Sequence, residues 1–211
     1  MSGKALGLQL ATNGFGVCAS SKISKPLFSD FNKVRFDAQF IKDQEEIKVQ
    51  NTRLPNPKPY VVQKVNSAGT IRISYEIGQY ISKEKPNKPL LSVSAISGIN
   101  LGILKPYYVT FEDPLDDNSG LQVIQQGEKT KAFSENIYGP AKWTEGLEES
   151  TTSYGFHVAA NINFEWNHSF YFQSWDCGIR LDYFPNGLNI LYNSENQIFT
   201  SLYTAYSIGK K

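Results

Sequence analysis

Between residues 70 and 82 apolar and polar side chains take strict turns. Ile71, Ile73, Tyr75, Ile77 and Ile81 fall on one parity and Arg72, Ser74, Glu76, Gly78 and Ser82 on the other, with only Gln79 and Tyr80 out of place. A period of two sends successive side chains to opposite faces, so the stretch is a strand between two unlike environments. Residues 156–166 repeat the pattern, with Phe156, Val158, Ala160, Ile162, Phe164 and Trp166 opposite His157, Ala159, Asn161, Asn163 and Glu165. So do residues 174–184, where Trp175, Cys177, Ile179, Leu181 and Tyr183 oppose Ser174, Asp176, Gly178, Arg180 and Asp182. Val34, Phe36, Ala38 and Phe40 oppose Lys33, Arg35, Asp37 and Gln39, and residues 91–103 set Leu91, Val93, Ala95, Ile99, Leu101 and Ile103 against Ser92, Ser94, Gly98, Asn100 and Gly102. Adding residues 7–12 and 15–20, which flank the hairpin dipeptide Asn13-Gly14, and the closing segment 198–209 predicts strands near 5–12, 15–20, 32–43, 70–82, 90–104, 154–166, 170–184 and 197–209.

Alternation does not by itself choose between a membrane barrel and a water-soluble one. The make-up of the polar rows separates them. They are rich in Gly, Ser, Ala and Asn and poor in Lys, which suits a narrow lumen, whereas a water-washed sheet face carries many Lys and Glu. The lysines collect in connections: Lys22 and Lys25, Lys83, Lys85 and Lys88, Lys129 and Lys131. Rows of Ile, Phe and Trp need no volume matching against lipid, but inside a small soluble barrel they would have to interdigitate at native density. The expected fold is therefore all-β: an up-and-down antiparallel transmembrane β-barrel of about eight strands in one domain, residues 1–211. The second reading, a soluble β-barrel that binds an apolar ligand with Ile71, Ile73 and Phe164 turned inward, stays open from sequence alone.

Loop lengths supply an orientation. With the longest connection, 112–153, placed outside the cell, parity makes 83–89 and 167–169 periplasmic turns and 44–69 and 185–196 outer loops. Short inside and long outside is the bacterial pattern. Aromatic residues gather near strand ends, as in Tyr107-Tyr108, Trp166, Phe170-Tyr171-Phe172 and Tyr183-Phe184, as interfacial girdles would. No apolar run approaches the roughly 20 residues of a membrane helix. Met1-Ser2-Gly3-Lys4 leads directly into strand, so on the exported reading a signal peptide has been removed, replaced or lies upstream of Met1.

Composition narrows the function. A net charge of +1 lacks the basic excess of a nucleic-acid binder. Cys18 and Cys177 have no CxxC spacing and are read as plain strand residues. No cofactor or metal site is expected. The acidic run from Glu112 to Asn118 lacks EF-hand spacing and is read as a solvated loop.

Several short segments together resemble a group of small outer-membrane β-barrel proteins from Bacteroidota. They are Gly7-Leu8 through Thr12-Asn13-Gly14-Phe15-Gly16, Lys64 with Asn66, Leu104-Lys105-Pro106-Tyr107-Tyr108, Ile137-Tyr138-Gly139, Gly178 with Leu181-Asp182-Tyr183-Phe184-Pro185, and Tyr203 with Tyr206-Ser207-Ile208-Gly209-Lys210. The resemblance spans nearly the whole length. It implies a secreted precursor, an outer-membrane location and membership of a larger envelope complex, hence other envelope proteins as partners beside outer-membrane lipid. The end in Lys210-Lys211 departs from the terminal aromatic of many outer-membrane barrels and bears on the assembly signal.

The polar rows would bring Arg35, Asp37, Arg72, Glu76, Glu165, Asp176, Arg180 and Asp182 into the lumen. Charges of both signs there are expected to pair, because an unpaired buried charge costs several kcal/mol. A plugged lumen is the expectation, since an eight-stranded interior is just wide enough for side chains to fill. His157 shares a face with Glu165, which leaves a Ser–His157 pair as the lesser, lipid-modifying enzyme reading; no GxSxG or HExxH motif supports it. The expected role is a non-catalytic structural or accessory subunit. Partner contact is expected at the long loop, through Tyr138, Trp143 and Leu147.

Overall fold

The computed structural model of the protein describes residues 3–23, 29–52, 58–83, 88–113, 121–126, 134–192 and 196–210. Eight strands close into one antiparallel barrel: β1 (Lys4–Ala11), β2 (Gly14–Ile23), β3 (Phe31–Ile41), β6 (Asn66–Tyr80), β7 (Leu90–Pro106), β11 (Thr151–Asn167), β12 (Tyr171–Leu188) and β13 (Asn196–Lys210). Each pairs with its neighbours in sequence order, and β13 returns to β1 with Lys4 opposite Lys210 and Ala11 opposite Tyr203. Both chain ends therefore sit at one rim, with the β2–β3, β6–β7 and β11–β12 connections. The opposite, distal rim carries everything between β3 and β6 and between β7 and β11. There β4 (Lys48–Val49) pairs with β5 (Tyr60–Val61), and β8 (Tyr108–Phe111) is flanked by β9 (Gln122–Gln125) and β10 (Ile137–Pro140).

The two parities part completely on closure. Along β6, Arg72 and Glu76 are fully buried while Ile73 is 51% and Ile77 47% exposed. The same split leaves Leu6, Leu8 and Leu10 of β1, Phe156 and Val158 of β11 and Ile179 of β12 on the outer wall. This excludes the inverted soluble barrel, because Ile73 points away from the lumen and charged side chains fill it.

The β1–β2 hairpin differs from the expected Asn13-Gly14 turn. Ala11 pairs with Gly14, so Thr12-Asn13 forms the turn and Gly14 begins β2. Its missing side chain is needed there, since a Cβ would lie 1.8 Å from the Phe40 carbonyl oxygen of β3. Asn13 turns inward instead and accepts a hydrogen bond from Gln39 Nε2 at 3.1 Å.

Apolar side chains close the distal end of the lumen. Ile41, Ala68, Leu104, Phe184 and Phe199 point inward from five strands, and Leu188 and Ile190 fold over them where the chain leaves β12. The amides of Val65 and Asn66 donate to the Ile190 carbonyl, which fastens this fold-over to the start of β6. Phe184 is thus plug rather than girdle. Its neighbour Tyr183 faces outward, as alternation on one strand demands.

Candidate functional site

The side chains with the most chemistry meet in the middle of the lumen. Arg72 from β6 grips Asp182 of β12 with two parallel hydrogen bonds, Nε to Oδ1 and Nη2 to Oδ2, both 2.8 Å. Its remaining Nη1 donates to Gln39 Oε1 at 2.9 Å. A planar guanidinium fork suits a carboxylate in this way, and the pair carries both charge and orientation. Arg180 finds no such carboxylate among the described residues. It donates to Gln39 Oε1 at 3.0 Å and Gln9 Oε1 at 3.1 Å, and lies over the Tyr203 ring at 4.2 Å. Gln39 thus ties both arginines to Asn13 in the turn.

Nearer the terminal rim, Arg35 stands among Asp176 at 3.2 Å, Glu76 at 3.4 Å and Asp37 at 3.9 Å. Lys33 reaches Glu76 at 3.7 Å, and Asn163 donates to Asp176. In this network Lys33, Arg35, Arg72 and Arg180 oppose Asp37, Glu76, Asp176 and Asp182, four charges against four. The structure brings seven of the eight predicted lumen charges into this network. Glu165 stands apart, closer to the rim, paired with Lys22 at 3.5 Å. Gln9, Gln39, Asn100 and Lys33 were not singled out as members, although their parity was visible: Gln9 interrupts Leu8 and Leu10 just as Arg72 interrupts Ile71 and Ile73.

His157 joins the same network. Its Nε2 lies 2.9 Å from Ser74 Oγ, and its Nδ1 meets Asn100 Oδ1. Asn100 Nδ2 donates to Asp182 at 2.9 Å and to the Phe156 carbonyl at 3.1 Å, which leaves its oxygen to accept from His157. Nδ1 therefore carries the proton, and Nε2 accepts from the serine. The order serine, histidine, amide is that of a nucleophile, base and orienting group. Ser74 and His157 are each 3% exposed, however, and Gly98 opposite them is packed so closely that a Cβ would lie 2.9 Å from the imidazole. The arrangement is thus enclosed within the barrel.

The distal strands form a second ordered unit. Val109, Phe111, Ile137 and Tyr60 bury one another, with Tyr107 and Ile124 against them. Tyr107 therefore belongs to the loop core rather than to an interfacial girdle. Tyr108 donates to Glu149 at 2.8 Å and Tyr138 to Glu112 at 2.9 Å. Each carboxylate raises the phenol it accepts from above its ordinary pKa, because the bonded phenol is the protonated form. Lys105 Nζ donates to the Glu145 carbonyl at 2.6 Å, and Gly146 takes φ of +77° with its Cα against the Tyr108 ring. These contacts hold a tight turn that presents Trp143, 65% exposed, and Leu147, 41% exposed. Of the three residues expected to meet a partner, Trp143 and Leu147 face outward, and Tyr138 is engaged with Glu112. Most of the acidic run, residues 114–118, lies outside the described residues, and no cluster of potential metal ligands occurs among the described ones.

No protein-family model and no curated protein matches the sequence. Among solved structures the chain is similar to the crystal structure of Neisserial surface protein A, with a TM-score of 0.41 and 12% identity over 100% of this chain and 94% of that one.

Proposed function

We propose that the protein is an integral outer-membrane β-barrel that serves as a non-catalytic structural or accessory subunit of an envelope complex. One observation carries the membrane reading: a closed barrel whose outer wall is apolar while its interior holds paired charges. Water-soluble monomers rarely expose contiguous apolar patches beyond a few hundred Å², whereas here outward apolar side chains recur on all eight barrel strands. Closure satisfies every barrel strand edge, as hydrocarbon surroundings require. The shortest barrel strands, β1 with 8 residues and β2 with 10, are close to the ~9–11 that span a bilayer when tilted.

The accessory role is supported by how the barrel is filled. Its lumen is filled by a balanced charge network and closed distally by Leu188 and Ile190, and its Ser74–His157 pair is enclosed. The distal sheet, by contrast, has its own core, and the turn that follows it displays Leu147 beside Trp143, a residue type that often anchors protein interfaces. The test is fractionation followed by native electrophoresis of detergent-extracted membranes. The expected result is a heat-modifiable barrel in the outer-membrane fraction that migrates as part of a larger assembly. Recovery of native protein in the detergent-free soluble fraction would refute the membrane reading, and migration as a free barrel would refute the accessory role.

A further inference from the structure

The outer wall carries a groove of about 870 Å³ that crosses β6, β7, β11, β12 and β13. Its floor is made by Ala95 and Ala160, which face each other across the β7–β11 pair, and its sides by Ile77 and Ile179 in the same ladder row and by Val93 and Ile162 in the next. Two small residues side by side between four large ones make a furrow in an otherwise bulky wall. On its outward rows it carries an amide side chain, Gln79, exposed on β6 where the alternation of the sequence breaks, while Ser94, Asn161 and Tyr203, which also line it, belong to the buried inward rows.

The furrow has a direction. Gln79 is next to the terminal-rim end of β6, whereas Cys177 and Leu202, at the other extreme, lie well inside β12 and β13. Four interstrand steps of ~4.8 Å make a path of about 19 Å. With strands tilted ~35–45° this path descends roughly 11–13 Å along the membrane normal, close to the ~15 Å of one hydrocarbon leaflet. Beyond Gln79 the chain turns at the rim, where Lys83 and Lys88 are exposed.

We infer that this furrow is a specific site for one glycerophospholipid of the leaflet at the terminal rim, its acyl chain on Ala95 and Ala160, a glycerol ester at Gln79 and its phosphate toward Lys83 and Lys88. The inference rests on the membrane reading above. Within it the furrow is continuous with the hydrocarbon-facing wall, so an acyl chain is what it meets. The Gln79 amide N–H can donate to an ester carbonyl at the depth where esters lie, and the two ammonium groups complement a phosphate.

Native mass spectrometry of the purified full chain, released from detergent containing phosphatidylglycerol, reads the site directly. The expected result is one retained phospholipid per barrel. Retention should fall about tenfold in Ala160→Trp and in Ala95→Leu, and about fivefold to tenfold in Gln79→Leu, the loss of one hydrogen bond to the ester. Val158→Trp, on the same strand but outside the furrow, should retain lipid as the wild type does. Equal retention in all four variants would overturn the inference. So would a dimer of barrels that disappears in Ala160→Trp, which would make a second copy the occupant. Insertion of the wild type into vesicles, scored separately by heat-modifiable mobility, keeps a failure of this site distinct from a failure of the membrane reading.

Discussion

Arg72 and Asp182, 110 residues apart in sequence, are joined by two 2.8 Å hydrogen bonds across the lumen, and neither has any exposed surface. They tie β6 to β12, which are not neighbours in the barrel. Removing one partner strands the other, and an uncompensated buried charge costs about 3–5 kcal/mol. Asp182→Ala should therefore lower unfolding stability by that amount in a urea titration of the folded barrel in vesicles. The double variant Arg72→Met, Asp182→Leu should recover most of the loss, since replacing a buried pair by apolar residues of similar size is often nearly neutral. A loss under 1 kcal/mol in Asp182→Ala would show that Gln39 and Asn100 suffice without the carboxylate.

Depth along the outer wall should be legible as energy. Ile73 sits at the middle of β6, and Ile81 lies just past its terminal-rim end. Both are well exposed on the outside of the barrel. In a bilayer an arginine at the midplane costs about 2–4 kcal/mol and one near the interface about 0–1. Ile73→Arg should thus be markedly less stable than wild type in vesicles and Ile81→Arg almost unchanged. Equal costs at the two positions would argue against a bilayer around this wall.

The distal plug makes a different prediction. Leu188, the last residue of β12, and Ile190, just beyond it, are fully buried, and they pack on Phe184 and Phe199. Truncating a buried leucine to alanine removes its contacts and leaves a cavity, at about 2–5 kcal/mol. Leu188→Ala should lose stability within that range, measured by the same urea titration, while Ile47→Ala, on a distal residue that is 67% exposed, should change it little.

Five of the eight barrel strands were legible because each separates an apolar outer wall from a polar lumen, and that contrast writes a period of two into the sequence, whereas β1 and β2 were placed by the hairpin dipeptide between them and β13 as the closing segment. What escaped lies where the contrast fades. β7 runs to Pro106 and β12 to Leu188, beyond the expected 104 and 184, because past the apolar band both faces of a strand meet protein or solvent. The short strands β4, β5, β8, β9 and β10 have 2 to 4 residues each, too few for any period to show. Tyr107-Tyr108 was read as a girdle because an aromatic pair at a strand end looks the same whether lipid or a loop core surrounds it. The lumen charges could be identified from parity, but their partners could not. Arg180 settling on Gln9 and Gln39 depends on how far strands stagger on closure, which no local pattern records.

Trp143 and Leu147 offer the sharpest separation of fold from function. Both protrude from a turn held from beneath by Lys105, by Tyr108 with Glu149 and by Gly146, so neither should matter to the barrel. Trp143→Ala and Leu147→Ala should leave urea stability within about 0.5 kcal/mol of wild type, as surface substitutions usually do. At a partner interface the same truncations should cost binding, about 2 kcal/mol or more for a central tryptophan. Gly146→Ala adds the complementary case. At φ of +77°, with the Tyr108 ring 2.6 Å from the new Cβ, it should displace the turn without touching either anchor. Native electrophoresis of extracted membranes should then show all three variants released from the larger assembly as intact, heat-modifiable barrels. Co-migration of Trp143→Ala with the assembly would place the contact elsewhere on the molecule.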